Sequence, residues 1–182
     1  MTENKSGMQQ YAMIFGTYMG LFWILKFILV PTGLTSPFLL LLFICLTFCV
    51  PFMGYYYTRL YRNRVCGGSI TFFHALMFNI FMYVCASLLT SAAHYVYFGF
   101  IDHGYILNTC REMFATLKQE NLPGMEEYLR QMKESLDMID SLTPTDIVLK
   151  MLGSNIYYST LLSIPTALFA MRRKRETPYT PQ

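Results

Sequence analysis

Acidic side chains are missing from every long apolar stretch of this chain. That absence excludes paired intramembrane carboxylates and deprives a proton relay of its usual acids. There is no Gly-rich phosphate loop, and no His-Glu-x-x-His pair to set two imidazoles on one helix face. No catalytic, cofactor-binding or metal-ligating residue is therefore assigned, and no cofactor is expected. Charge of either sign is sparse, at 14% of residues against 54% hydrophobic, with a mean hydropathy of +0.34. The cysteines are too dispersed for a disulfide framework: Cys45, Cys49 and Cys85 fall within apolar runs, Cys66 in a turn, and Cys110 beyond the third run. Cys45 and Cys49 share a helix face, but two thiols are too few for a metal site and read as apolar filler.

What the chain does have is four long apolar runs, at about 11–30, 37–57, 69–100 and 147–171. A helix needs about 20 mostly apolar residues to cross roughly 30 Å of hydrocarbon. A soluble core helix would carry a polar stripe instead. Cations gather at alternate ends of the runs. Lys5 precedes the first, Arg59, Arg62 and Arg64 follow the second, and Arg172, Arg173, Lys174 and Arg175 follow the fourth. The other side receives an uncharged turn and the stretch 102–146. That stretch holds Asp102, Glu112, Glu120, Glu126, Glu127, Glu134, Asp137, Asp140 and Asp146 against only Arg111, Lys118, Arg130 and Lys133. The positive-inside rule then puts both termini in the cytoplasm. Cations dispersed at helix ends do not suggest nucleic-acid binding. Lys26 is the one charge in the first run. It reads as a lysine snorkelling to the headgroups, or as one paired with an acid from the outer stretch. The first run is as long as a spanning helix and no small-x-small cleavage pattern follows it, so it is not expected to be a cleaved signal.

Local signals divide the rest. Residues 1–10 are polar and expected to fray, and the first two helices form a hairpin through the turn at 31–37. Pro51 and Gly54 suggest a kink in the second helix. Tyr55, Tyr56, Tyr57 and Tyr61 suggest an interfacial aromatic belt. Gly67 and Gly68 allow a tight turn with positive φ, after which Ser69 or Thr71 can cap the third helix. That helix is too long for one upright crossing and is expected to tilt or to project beyond the surface. Within 103–146, Met125, Tyr128, Leu129, Met132, Leu136 and Ile139 recur at helical spacing, as do Ile106, Cys110, Met113, Phe114 and Leu117. With Asn121-Leu-Pro-Gly124 as a turn, this predicts an amphipathic helical hairpin. Thr143-Pro-Thr-Asp146 fits the start of the last helix.

The candidate functional residues are polar side chains inside the runs. On the third helix Asn79, Tyr83, Ser87, Thr90, Ser91 and His94 share a face, and on the fourth so do Asn155, Ser159 and Ser163. Polar groups in a bilayer face protein, because an unpaired donor in hydrocarbon is costly. The two stripes read as interhelical hydrogen bonding or as a polar path for a small solute. His74 and His94 are far apart along one helix, whereas His94, Asp102 and His103 could converge on an outer site. Gly16-x-x-x-Gly20 permits close helix approach, within the chain or between two copies in a homodimer.

The segment Arg64-Val-Cys-Gly-Gly-Ser-Ile-Thr-Phe72, then His74-Ala75, then Tyr95-Val-Tyr-Phe-Gly-Phe-Ile-Asp102, resembles the bacterial inner-membrane family catalogued as domain of unknown function 4199. The resemblance covers about residues 8–175. It implies four hydrophobic segments and a Met- and Glu-rich outer segment, with no assigned activity. It also implies Bacteroides-type bacteria, hence an inner membrane facing a periplasm. Many members have Pro after Ile-Asp, where this chain has His103.

The expected architecture is all-α: an integral membrane four-helix bundle with an extramembrane amphipathic hairpin between helices three and four. The expected role is a non-enzymatic interaction or accessory protein. It would meet the lipid bilayer and, through 103–146, a membrane or periplasmic protein. The alternative is a small transporter or channel component lined by the polar stripes of helices three and four.

Overall fold

The structure is a computed structural model, which describes residues 3–120 and 124–172. Arg173, Lys174 and Arg175 lie outside the described residues, as does most of the turn expected at 121–124. The described chain is helical almost throughout. Its elements are α1 (Glu3–Gly33), α2 (Pro37–Arg64), α3 (Phe72–Val96), a π-helical turn (Tyr97–Ile101), α4 (Tyr105–Glu120), α5 (Glu126–Asp140) and α6 (Pro144–Ala170).

Among the described residues, three stretches are long and apolar enough to cross a membrane: Gly7–Gly33, Pro37–Arg64 and Phe72–Ile101. Four were expected. The last helix, which carries Lys150, Ser154 and Asn155, is not among the three. It nevertheless packs lengthwise on α3 and on α2, while α1 packs on α2 and α3. Large apolar side chains cover the outside, among them Leu25, Phe48, Phe52, Phe73 and Phe169. Polar ones, including Thr58, Asn79, Ser87, Thr90 and Ser163, are buried. This distribution suits a surrounding hydrocarbon solvent. Four of the buried hydroxyls, those of Thr58, Thr90, Ser163 and Thr166, donate back along their own helices, as Thr90 does to Ala86 O and Thr166 to Leu162 O, both at 2.8 Å, whereas those of Tyr83, Ser87 and Ser91 have no partner among the described residues.

α2 runs seven residues past its expected end. Nothing in that stretch breaks a helix, and Gly54, Thr58 and Tyr61, spaced four and three apart, turn one face inward. Tyr61 is therefore not part of an interfacial belt. It is buried, stacked on Phe78 with ring centroids 4.2 Å apart, and its hydroxyl pairs with His74 Nε2 at 3.0 Å. Tyr56 remains exposed. Arg62, read from the sequence as a topology marker, is buried as well. Its guanidinium donates to Ala170 O at 2.8 Å, satisfying a carbonyl that the end of α6 leaves free. Gly67 and Gly68, at φ +63° and +84°, make the turn into α3, and Thr71 caps that helix. Ile70 and Arg172 exchange both backbone hydrogen bonds, at 3.0 and 3.1 Å. The basic ends of α2, α3 and α6 are thus clasped together.

At the other end, the amide of Asp102 reaches back to Tyr97 O at 2.9 Å, closing the π-helical turn. The Asp102 carboxylate then accepts from the amides of Gly104 and Ile106, which starts α4. His103 sits between at φ +44°, a conformation closed to proline. α4 and α5 pack on each other, tied by Arg111 to Asp140 at 2.8 Å. Leu136 is buried and Leu129 and Met132 are half-buried, whereas Tyr128 and Ile139 are exposed. Thr143 and Asp146 form the expected reciprocal cap of α6.

Candidate functional site

α1 and α3 approach closely because Gly16 and Gly20 present no side chain. A Cβ on Gly16 would stand 2.6 Å from Met82 O, and one on Gly20 would stand 3.0 Å from Leu89 Cδ2. The Gly16-x-x-x-Gly20 motif thus serves packing within the chain, and α3 occupies that face. Gly54 plays the same part on α2, leaving room for the Tyr83 ring. Near the basic end the space between helices is filled by Phe15, Met19, Tyr61, Phe78 and Met82. Above them Trp23 stacks on Tyr83 at 6.1 Å.

Beyond that layer, toward the hairpin end, the helices leave a cavity of about 580 Å³. Its apolar walls include Phe27, Val30, Phe43, Val50 and Leu162. Its polar lining is Lys26, Thr47, Thr90, His94, Asn155 and Ser159. Its rim includes Phe48 of α2 and Tyr158 of α6, both exposed, so it opens sideways between those two helices. A chamber of this size and character is typical of small-molecule sites.

The sequence stripes therefore divide. Thr90, His94, Asn155 and Ser159 share one cavity wall. Asn79 lies elsewhere, its Oδ1 accepting from the Thr58 hydroxyl at 2.7 Å. Tyr83, Ser87, Ser91 and Ser163 are buried in packed parts of the core. His94 lies against Phe27, ring centroids 4.1 Å apart, and neither of its ring nitrogens has a hydrogen-bond partner. The ring of His103 instead turns back toward Ile101 O, at 3.0 Å. His94, Asp102 and His103 thus do not converge, and the described residues contain no metal-binding group of three His, Cys, Asp or Glu side chains.

Stripe reasoning missed the contribution of α1 and α2. Lys26, Trp23 and Thr47 all line the cavity. Lys26 Nζ lies 5.1 Å from the centre of the Phe43 ring, and among the described residues it has no carboxylate within ion-pair distance. The available signal was its being the one charge in the first run. Trp23 Nε1 is buried and also unpartnered. A second cavity, of about 470 Å³, lies where the α4–α5 hairpin meets the base of α6, lined by Leu107, Cys110, Leu136 and Lys150 among others.

Fold and site together define an all-helical protein of membrane-spanning character with a half-open, polar-lined chamber between its helices. The chain belongs to the family described as Protein of unknown function (DUF4199), which matches residues 14–172. No curated protein and no solved structure matches it.

Proposed function

We propose that this is a non-enzymatic, multi-pass accessory protein of a bacterial inner membrane, which works by binding a small ligand in the cavity between its helices. α6 serves as a fourth crossing, completing a four-helix bundle. Its 27 residues would cover roughly 40 Å at 1.5 Å each, and Lys150 is close enough to its start to reach the headgroups. Both termini lie in the cytoplasm, on the side of the arginine clasp, and the acidic α4–α5 hairpin lies in the periplasm. The hairpin offers a second face, for a membrane or periplasmic protein.

The observation that carries the binding reading is the cavity itself: one chamber gathers Lys26, His94 and Asn155 between apolar walls. A small transporter is the second reading, favoured by Thr90, His94, Asn155 and Ser159 from the two polar stripes sharing that chamber. The packed layer of Trp23, Tyr83, Phe78 and Tyr61 beneath it supports holding over conduction. In the test, the protein is reconstituted into liposomes and a photo-crosslinking side chain is placed at Asn155 in native membranes. The expected result is a discrete small-molecule adduct and liposomes that stay tight to protons and small cations. A flux that Asn155→Leu abolishes would transfer the protein to the transporter class.

A further inference from the structure

We infer that the cavity takes a single-chain amphiphile with an anionic headgroup, the anion held at Lys26 and the alkyl chain lying along the apolar wall. This rests on the reading of the cavity as a ligand site and specifies the ligand. The polar groups at the cavity are unevenly matched. Lys26 supplies ammonium donors and lacks an ion-pair partner among the described residues. The Trp23 indole can only donate, and it is buried without an acceptor. His94 is buried with both ring nitrogens unpartnered, and Asn155 adds an amide. The hydroxyls of Thr47 and Thr90 are already donated to Phe43 O and Ala86 O, at 2.8 Å each. Among the described residues, no Asp or Glu lines the chamber. A site with a cation, several free donors and no carboxylate is complementary to an anion, and charge-assisted bonds to that anion are the strong kind.

Geometry supplies the rest of the ligand. Lys26 lies seven residues before the end of α1, about 10 Å along the axis, just beneath the level where headgroups would sit. From it the cavity extends along Phe27, Phe43, Phe48, Val50 and Leu162. The side opening between Phe48 and Tyr158 faces where lipid would lie, so a chain can enter from the bilayer without crossing water. A chamber of about 580 Å³ suits one alkyl chain with a small head.

Trp23 is the sole tryptophan of the chain and lines the chamber, so its fluorescence reports occupancy directly. The protein is placed in nanodiscs of neutral lipid and titrated with ω-bromododecanoate, whose bromine quenches indole on contact. Saturable quenching is expected, reversed by unbrominated dodecanoate or by dodecyl phosphate. Reversal by either supports the anionic class, and the stronger competitor identifies the head as carboxylate or phosphate monoester. Lys26→Gln should weaken binding about tenfold or more, whereas Lys26→Arg, which keeps the charge, should bind within a few-fold of the parent. If ω-bromododecanol saturates with the same affinity, or Lys26→Gln changes nothing, the anionic headgroup is overturned while the ligand site stands. If no probe quenches saturably, both readings fall.

Discussion

Gly16 is where one methyl group would do the most damage. Its Cβ would meet a backbone carbonyl, Met82 O, and a Cβ, that of Cys85 at 2.7 Å, neither of which can swing aside. Gly16→Ala should therefore cost about 1–3 kcal/mol, in the range of overpacked cores. It would be read as a lowered thermal midpoint of the purified protein. Gly153→Ala is the control: nothing lies within 4 Å of its Cβ, so the midpoint should hold or rise slightly. The contrast separates what sequence conveys at this scale from what it does not. The small-xxx-small spacing announced a close approach but not its partner, because spacing carries no information about which helix fills the groove. Arg62 was misread for a related reason. A cation at a helix end marks topology on average, and only the neighbouring end of α6, distant in sequence, reveals that this one caps a carbonyl. Lys26 shows the same limit: its charge was conspicuous, but the cavity beside it is a product of four helices.

At the scale of elements, helix starts and stops were the most legible features, because their chemistry is local. Gly67-Gly68, Thr71 and the Thr143–Asp146 cap all act within four residues of themselves. The end of α2 was not legible, since only tertiary contacts of Thr58 and Tyr61 reward the extra turns. The cap of α6 yields a pH prediction. Hydrogen bonds from the Thr143 hydroxyl, and then from its backbone amide, hold the Asp146 carboxyl below the usual aspartate value. An unfolded chain would take up this proton first, near pH 4. The cap's contribution is therefore full above that pH and is lost as pH falls through the lower folded value. Protection of the Ile147 and Val148 amides, measured against their intrinsic exchange rates, should be highest at neutral pH and fall as pH drops below about 4. Asp146→Asn should remove that extra pH dependence. Thr143→Ala should loosen the same amides at neutral pH, costing about 1 kcal/mol of local stability.

On the scale of the whole molecule, the charge asymmetry and the apolar runs conveyed a membrane protein with an acidic helical insertion, because both are sums over many residues. The weakest of those sums was the last run. α6 buries Ser159, Ser163 and Thr166 against its neighbours, and these inward groups lower its average apolarity without touching lipid. Whether α3 crosses, and in which direction, determines on which side the hairpin lies, and two cysteines that flank it report this. Cys66 sits in the α2–α3 turn and Cys110 in α4, so the proposed topology places them on opposite sides. Both are half-buried, and burial raises both thiols above their ordinary pKa, opposed at Cys66 by a hydrogen bond with Tyr61. Thiolate is the reactive form, so labelling of each should be slow at neutral pH and quicken as pH rises. In single-cysteine variants, an impermeant maleimide added to spheroplasts should modify Cys110 without permeabilisation and Cys66 only after it. Labelling of both from outside would mean that α3 does not separate the two cysteines, and labelling of Cys66 alone would invert the proposed topology.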